Sequence, residues 1–227
     1  MPLEKPSQKD FLIPMVFLIF LVIICQKTNI DHTLANFFFT PPNIWPYRNN
    51  FFLEKILHKG GVIFIISLFT ILLSCLYYLT ARKKSEVLKK YIFFTITSSL
   101  LTILIVYGLK FFSLSPCPWH SIGFSPDARV APGLLHLFSF HHQLSGCFPA
   151  GHSSGGFGFL SLYFAHLIIK KKRNLLYLLP GLIIGVLFGI AQEMRGAHFI
   201  SHDFATIFIS IFSSWITAWF FFIWQKI

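Results

Sequence analysis

Charged residues are scarce in this sequence. They make up 12% of its 227 positions, about half of the share that is usual in a soluble domain. Acidic residues are the scarcest, with eight Asp and Glu against 19 Lys and Arg. This composition excludes a soluble globule and a disordered chain, because both expose many more polar and charged side chains to water. Four cysteines are also too few for a small domain held together mainly by disulfides.

Apolar residues dominate instead: they make up 55% of the chain, Phe occurs 29 times, and the mean hydropathy is +0.67. Six nearly uncharged stretches approach the ~20 residues that a helix needs to cross a bilayer. They cover residues 11–26, 61–80, 91–109, 153–169, 175–191 and 204–224. The alternating segments typical of a membrane β-barrel are absent. The sequence therefore predicts an all-α polytopic membrane protein with six transmembrane helices, forming a single domain over residues 1–227.

The positions of Lys and Arg predict the orientation in the membrane. If both termini are cytoplasmic, twelve of the 19 basic residues fall inside, with only three acidic residues. The net charge of +11 then reflects topology, and no nucleic-acid partner is expected. No small-residue cleavage site follows the first stretch, so we expect an uncleaved span. The expected location is a bacterial inner membrane, and we expect the periplasmic connector 28–60 to lie along the interface without chemistry.

Three polar clusters stand out, and all of them fall on the predicted periplasmic side. The first is Lys110 with Cys117-Pro118-Trp119, the second is Pro149-Ala150-Gly151-His152-Ser153-Ser154, and the third contains Gln192, Arg195, His198, His202 and Asp203. Ionisable residues at a membrane boundary are costly and usually functional. Their concentration on one side predicts a single functional site at the periplasmic face.

The second and third clusters permit several kinds of chemistry. A glycine-rich turn that enters a helix presents free backbone N–H groups to an anion such as phosphate. The alternative is that these glycines only allow close helix packing. On a continuous helix, the Gln, Arg and two His of the third cluster would share an arc of about 120°. A solvated turn with incidental histidines, or a zinc site formed by His198, His202, Asp203 and His152, remain alternatives.

Taken together, the three clusters resemble the signature of the type-2 phosphatidic acid phosphatase superfamily, which is K-x6-R-P, then P-S-G-H, then S-R-x5-H-x3-D. Lys110 and Cys117-Pro118 match the first part with Cys for Arg, and Pro149-Ala150-Gly151-His152 matches the second with Ala for Ser. Gly196-Ala197-His198-Phe199 is similar to the run around the second histidine. Gln192 then stands in place of Arg, and His202 in place of Asp. An alignment on Arg195 would instead put Ser201 at the histidine position. The resemblance covers roughly residues 61–220.

The resemblance implies metal-independent hydrolysis through a phosphohistidine, without a cofactor. His198 would be the nucleophile and His152 the general acid and base, while His202 or Asp203 would orient His198. The groups expected to hold the phosphate are Lys110, Arg195, Gly151, Ser153, Ser154 and Gln192. Arg195 is the preferred substitute for the missing first-motif Arg, and Arg129 is the alternative.

The expected partner is a phosphorylated lipid of the bilayer, of the lipid A, undecaprenyl diphosphate, phosphatidylglycerol phosphate or phosphatidic acid class. A lipid phosphotransferase, a zinc hydrolase and a non-catalytic transporter or scaffold remain alternatives, and the oligomeric state stays open. Cys117 and Cys147 bracket the long outer loop in an oxidising compartment, so we expect a disulfide between them, with two free or buried thiols as the alternative.

Overall fold

The computed structural model describes residues 8–41, 44–126 and 146–224, and these residues form helices and turns without a strand. The α-helices are α1 (Gln8–Lys27), α2 (Ile30–Asn36), α3 (Gly61–Ala81), α4 (Glu86–Phe112), α5 (Gly151–Phe157), α6 (Ser161–Lys170), α7 (Leu179–Met194) and α8 (Ile200–Trp224). A π-helical segment, Phe52–Gly60, runs directly into α3. Short 3-10 turns join α5 to α6 (Gly158–Leu160) and precede α7 (Leu175–Leu178). The predicted all-α architecture is therefore confirmed.

Five helices of the described chain are long and apolar enough to cross a membrane. They are Gln8–Lys27, Phe52–Ala81, Glu86–Phe112, Leu175–Met194 and Ile200–Ile223. The predicted stretch 153–169 is not among them. It is helical in three pieces, α5, a 3-10 turn and α6. Its Ser, Gly and His residues make it less apolar than the other stretches, and most of its side chains are buried inside the bundle.

The helix α1 is an integral part of the bundle. Phe11, which is fully buried, stacks on Phe164 of α6 with ring centroids 4.5 Å apart. Met15 and Leu18 continue this buried face, and the same core includes residues of α4 and α8. At the beginning of α1, Asp10 forms an ion pair with Arg173 in the turn after α6. The first apolar stretch therefore contributes a full face to the core.

Glycines let α5 pack against α7 at backbone distance. A Cβ added to Gly156 would overlap the backbone of Gly185, and a Cβ added to Gly185 would overlap the ring of Phe157. A Cβ on Gly181 would likewise overlap the backbone of Leu160. Close helix approach through small residues is a common packing mode in membranes. The packing explanation for the glycine-rich cluster therefore applies to Gly156, while Gly151 lies beside Lys110.

Hydroxyl groups from neighbouring helices bond to the backbone where α5 gives way to the 3-10 turn. Ser99 of α4 donates to the carbonyl of Gly158 at 2.8 Å, and Ser210 of α8 donates to the carbonyl of Phe157 at 2.6 Å. Carbonyl groups inside a membrane protein need such partners, because no water is available there. The interrupted helix is thus held between α4, α7 and α8, with its beginning at the end of the bundle where Lys110 lies.

We expect Gly156→Ala to destabilise the protein, because the added methyl group would force the backbones of α5 and α7 apart. Overpacking of this kind costs about 1–3 kcal/mol. Gly108→Ala is the matched control, since a Cβ at that helical position meets no atom within 4 Å, and it should be neutral or slightly stabilising. Thermal unfolding of the detergent-solubilised variants measures the difference. Equal stability of the two variants would contradict this account of the contact between α5 and α7.

Candidate active site

The three polar clusters meet at one end of the bundle. Lys110 lies in the last turn of α4, and its side chain packs against Gly151 at the beginning of α5. A Cβ on that glycine would lie 3.5 Å from Cδ of the lysine. The backbone N–H of Trp119 in the first cluster donates to the carbonyl of Gly196 in the third cluster at 3.1 Å. Residues as far apart in the chain as Lys110 and Gly196, which are 86 positions apart, therefore border one site.

His152 is held at the second residue of α5 by the π-helical segment. Its Nε2 lies 2.9 Å from the carbonyl oxygen of Leu57. Its ring packs against His58, with centroids 4.5 Å apart, and against Phe188 of α7, with centroids 4.6 Å apart. The side chain is half-buried. His152 is therefore fixed from two sides while part of its ring stays accessible.

His198 lies in the turn between α7 and α8, and only 5% of its surface is exposed. Burial lowers the pKa of His198 well below its usual 6.5, the charge of Lys110 lowers it further, and a hydrogen bond to the backbone of Cys147 acts in the opposite direction. The ring is therefore neutral near pH 7, which is the form of histidine that can act as a nucleophile. Its Nδ1 is buried and has no hydrogen-bond partner among the described residues.

His202 and Asp203, the two residues expected to orient His198, lie on different sides of the first turn of α8. The ring of His202 stands edge-to-face against His198, with centroids 5.9 Å apart. The carboxylate of Asp203 instead lies against α7, where a Cβ on Gly189 would come within 3.0 Å of it, and it interacts with Glu193. Of the two, His202 is thus the residue that packs against His198.

Arg195 and Gln192 form a hydrogen-bonded pair at the end of α7. Nη1 of Arg195 donates to Oε1 of Gln192 at 3.2 Å, and Nε donates to the carbonyl of Arg48 at 2.9 Å. The guanidinium of Arg48 lies over the ring of Trp119, 4.4 Å from its centroid. Arg48 therefore reaches the first cluster, two residues from Cys117, where the resemblance places an Arg. The other alternative, Arg129, lies outside the described residues.

Ser153 and Ser154 direct their hydroxyl groups toward the helix backbone. Ser153 donates to the carbonyl of Ala150 at 3.3 Å, and Ser154 donates to the carbonyl of Gly151 at 2.6 Å. Both side chains are fully buried. Of the residues expected to hold phosphate, these two are therefore the least accessible through their side chains.

The connector 28–60 packs against the site, a contact that the sequence did not predict. Asp31 of α2, which is 4% exposed, accepts hydrogen bonds from the backbone N–H of Ser201 at 3.1 Å and from its hydroxyl at 2.6 Å. Trp45 packs against Gly196, whose φ of +75° and lack of a Cβ allow this approach. The connector therefore braces the turn that carries His198. A connector without a recognisable motif offers no sequence signal for such contacts.

His58 is a site residue that the sequence reasoning missed. Besides its contact with His152, its Nδ1 lies 3.1 Å from Nε2 of Gln192. It occurs in the sequence without a neighbouring polar motif, and its two partners follow 94 and 134 positions later. The only indication in the sequence was its position: His58 lies just before the apolar stretch 61–80, on the predicted periplasmic side where the other clusters lie.

Cys117 and Cys147 are joined by a disulfide, with Cα atoms 5.1 Å apart, while Cys25 and Cys75 are free. The N–H of Cys147 also donates to the carbonyl of Ser115 at 3.0 Å. The bond connects the segment after α4 to the segment before α5, close to His198. Because Cys117 is in the disulfide, it cannot take part in phosphate binding in place of the Arg of the signature.

A sequence profile of the PAP2 superfamily matches residues 88–226, which is more than half of the chain and includes all three clusters. The chain belongs to the PAP2 superfamily. This confirms the resemblance to type-2 phosphatidic acid phosphatases, a superfamily whose members are generally phosphoesterases. No curated protein sequence and no solved structure gives a significant match to the chain.

Metal binding was one of the alternatives for the histidines of this PAP2 protein. Among residues 8–41, 44–126 and 146–224, no group of three or more His, Cys, Asp or Glu side chains is placed to hold a metal ion. His152 and His198 instead face the site from α5 and from the turn before α8, and Lys110 lies close enough to influence His198 electrostatically.

Changing Cys117 or Cys147 to Ser should lower the free energy of unfolding by about 3–4 kcal/mol, because the disulfide closes a loop of 30 residues. It should also remove the mobility difference between reduced and non-reduced protein on a gel. Cys75→Ala is the matched control and should retain that difference. If the denatured, unreduced wild-type protein reacts with four equivalents of a thiol reagent rather than two, the disulfide does not form.

Proposed function

We propose that this PAP2 protein removes phosphate from a lipid headgroup, either a monoester or a diphosphate, by way of a phosphohistidine at His198. The observation that carries the proposal is the position of a buried, neutral His198 beside Lys110, with His152 and Arg195 at the same end of the membrane bundle. A nucleophile, an acid–base group and two cations for the phosphate are the components that phosphoryl transfer requires.

In the first step, a nitrogen of His198 attacks phosphorus. An N–P bond forms, the P–O bond to the leaving group (the lipid alcohol of a monoester or the lipid monophosphate of a diphosphate) breaks, and His152 gives its proton to the departing oxygen. In the second step, His152 takes a proton from water, whose oxygen attacks the phosphohistidine. The N–P bond breaks, inorganic phosphate leaves, and both histidines return to their starting forms. No cofactor takes part in either step.

Lys110 and Arg195 would neutralise the charge that develops on the phosphate oxygens. Lys110 is suited to this role because its side chain lies beside Gly151, and its charge acts on both His152 and His198. Arg48 is a second guanidinium near the position of the missing Arg. Gln192 would act through Arg195. His202 would orient His198 by packing against it, whereas Asp203 would act from the side of α7.

A small apolar cavity beside His152 supports a lipid substrate. Its volume is about 180 Å³, and it is lined by Ile65 and Ile66 of α3, Ile103 and Tyr107 of α4, and His152 itself. A cavity of this kind would accept the first carbons of an alkyl chain while the phosphate stays among the cations. Lipid A, undecaprenyl diphosphate, phosphatidylglycerol phosphate and phosphatidic acid all combine these two parts.

We further propose that residues 151–170 provide a sixth crossing and that the site faces the periplasm of a bacterial inner membrane, with both termini cytoplasmic. Twenty helical residues span about 30 Å, which matches the hydrocarbon thickness. The basic turns after α3 and α6 lie at the opposite end from the site, as the positive-inside rule requires. The Cys117–Cys147 disulfide at the site end suits an oxidising compartment.

Purified protein should release inorganic phosphate from at least one of these four lipid classes. His152→Ala should lower the rate by about 10²- to 10⁴-fold, the range for loss of a general acid–base group, and His198→Ala should abolish phosphohistidine formation. His166→Ala, at the opposite end of the bundle, is the control and should stay within about twofold of wild type.

Transfer of labelled phosphate to a lipid acceptor without release would favour the phosphotransferase, and loss of activity with a chelator would favour the zinc hydrolase. Full activity of both site variants would refute the mechanism.

The acidic limb of kcat/KM should lie well below pH 6.5. Burial holds the pKa of His198 below that usual value, so the neutral nucleophile persists as the pH falls and is lost only when His198 itself is protonated. The measurement is initial-rate kinetics between pH 4 and 8, with the folded fraction checked at each pH. An acidic limb centred at or above pH 6.5 in a protein that stays folded would show that His198 is not the buried nucleophile proposed.

A further inference from the structure

His58 lies outside all three family motifs, yet it contacts two residues of the site. Its ring packs against His152 with centroids 4.5 Å apart, and its Nδ1 lies 3.1 Å from Nε2 of Gln192. The preceding residue, Leu57, provides the carbonyl that lies 2.9 Å from Nε2 of His152. One short piece of the π-helical segment therefore contacts His152 through both a side chain and the backbone.

The hydrogen bonds determine where the protons lie. A guanidinium can only donate, so Oε1 of Gln192 accepts from Arg195 and the amide nitrogen of Gln192 is the donor toward His58. Nδ1 of His58 therefore accepts, and His58 is a neutral ring with its proton on Nε2. The chain of contacts runs from Arg195 through Gln192 to His58 and ends at the face of His152.

The same reasoning assigns the tautomer of His152. A backbone carbonyl can only accept, so Nε2 of His152 carries a proton and donates it to Leu57. As long as this bond is kept, Nδ1 of His152 is the nitrogen that gains and gives the proton used in catalysis. Two positively charged imidazoles at a centroid distance of 4.5 Å would repel each other. A neutral His58 therefore lets His152 take up its positive charge.

We propose that His58 is a positioning residue: its ring, held by Gln192, packs against His152 and keeps Nε2 of His152 on the carbonyl of Leu57, so that Nδ1 is the reactive nitrogen. Through Gln192 it also couples His152 to the phosphate-binding Arg195. This inference rests on the proposed function only for its kinetic consequence. It also accounts for Gln at position 192. An Arg there would offer Arg195 no acceptor and would place two guanidinium groups side by side.

Among the described residues, few charged and titratable groups surround His58, and Lys110 is a further charge that acts on His152. Glu54 and Lys59 lie on its own segment, and His152 and Arg195 face it from α5 and from the end of α7. Glu54 is paired with Lys59 at 3.2 Å. A change in the titration of His152 on replacing His58 can thus be assigned to the contact between the two rings or to the link with Arg195.

The experiment uses three variants of full-length protein. His58→Asn retains an acceptor where Nδ1 lies, His58→Phe retains a ring against His152 without the acceptor, and His58→Ala removes both. His166→Phe is the matched control, because His166 also has a hydrogen bond, to Tyr91 at 2.8 Å, and a ring stack, on Tyr177 with centroids 4.1 Å apart, at the opposite end of the bundle. Thermal unfolding of every variant identifies any that fail to fold.

The first readout needs no substrate. Protein labelled with ¹⁵N in its histidine rings is studied by NMR, with His152 assigned by substitution. In the wild type, Nε2 of His152 and Nε2 of His58 should carry protons, while Nδ1 of His58 should not. His58→Ala and His58→Phe should give His152 a mixture of tautomers and a shifted titration, and His58→Asn should shift it less. His152 signals that do not change in any folded His58 variant would overturn the proposal.

The second readout is the hydrolysis of the best lipid found. We expect kcat to fall roughly tenfold to a hundredfold in His58→Ala, with a smaller change in KM, because misplacing a catalytic group by about 1 Å has effects of this size. His58→Asn should recover at least a few-fold of that loss, and the pH profile should move in His58→Ala but not in His166→Phe. An unchanged kcat and pH profile in His58→Ala would overturn the proposal.

If the wild type hydrolyses no lipid but His152 responds to His58 in the NMR experiment, the proposed function fails while the positioning role stands.

Discussion

The backbone contact between α5 and α7 determines the geometry of the candidate site. Gly156 and Gly185 bring the two helices together inside the bundle, where no Cβ intervenes. The beginning of α5 carries His152, and the end of α7 carries Gln192 and Arg195. Because helices are stiff over a few turns, the distance between His152 and the Gln192–Arg195 pair follows from apolar packing about one to three turns away. The geometry of the candidate site thus depends on glycines, which contribute no side chain to it.

The site gathers positive and potentially positive groups, and the described carboxylates close to it bond to other partners or lie apart from Lys110 and His198. Asp31 is occupied by the N–H and hydroxyl of Ser201; burial raises its pKa, while these two hydrogen bonds lower it. Asp203 lies against α7 and not against His198. Within the described chain, neither Lys110 nor Arg195 forms an ion pair with a carboxylate, although the charge of Glu54 acts on Arg195. Such a site attracts anions. The electrostatic attraction is stronger for a dianionic phosphate than for a monoanion, because the surrounding protein and lipid screen charge poorly.

The helical architecture and the assembly of the three clusters could be predicted from the sequence, because hydropathy reports membrane helices and the motifs lie next to helix ends. The part that could not be predicted lies in the connector 28–60. Asp31 bonds Ser201 across 170 positions, and His58 bonds Gln192 across 134. No periodicity or spacing encodes a contact between segments so distant in sequence. The stretch 153–169 shows a related limit, because hydropathy cannot distinguish a helix that crosses a bilayer from one that is enclosed by other helices.

Two of the four departures from the superfamily signature, at Cys117 and Gln192, have a physical explanation in the structure. Cys117 stands at the position of the first-motif Arg and forms a disulfide with Cys147, so a covalent link holds the chain near His198. Gln192 replaces a second cation with a group that both accepts and donates, which is what a neighbour of Arg195 and His58 must do. The described guanidinium groups near the site are Arg195, one turn nearer to His198 than the signature position, and Arg48 in the connector. Replacing Gln192 by Arg would not by itself recreate the site of the family. In this protein, residue 192 must accept a hydrogen bond from Arg195 and donate one to His58. A guanidinium can only donate, so an Arg at this position would leave Arg195 without its acceptor.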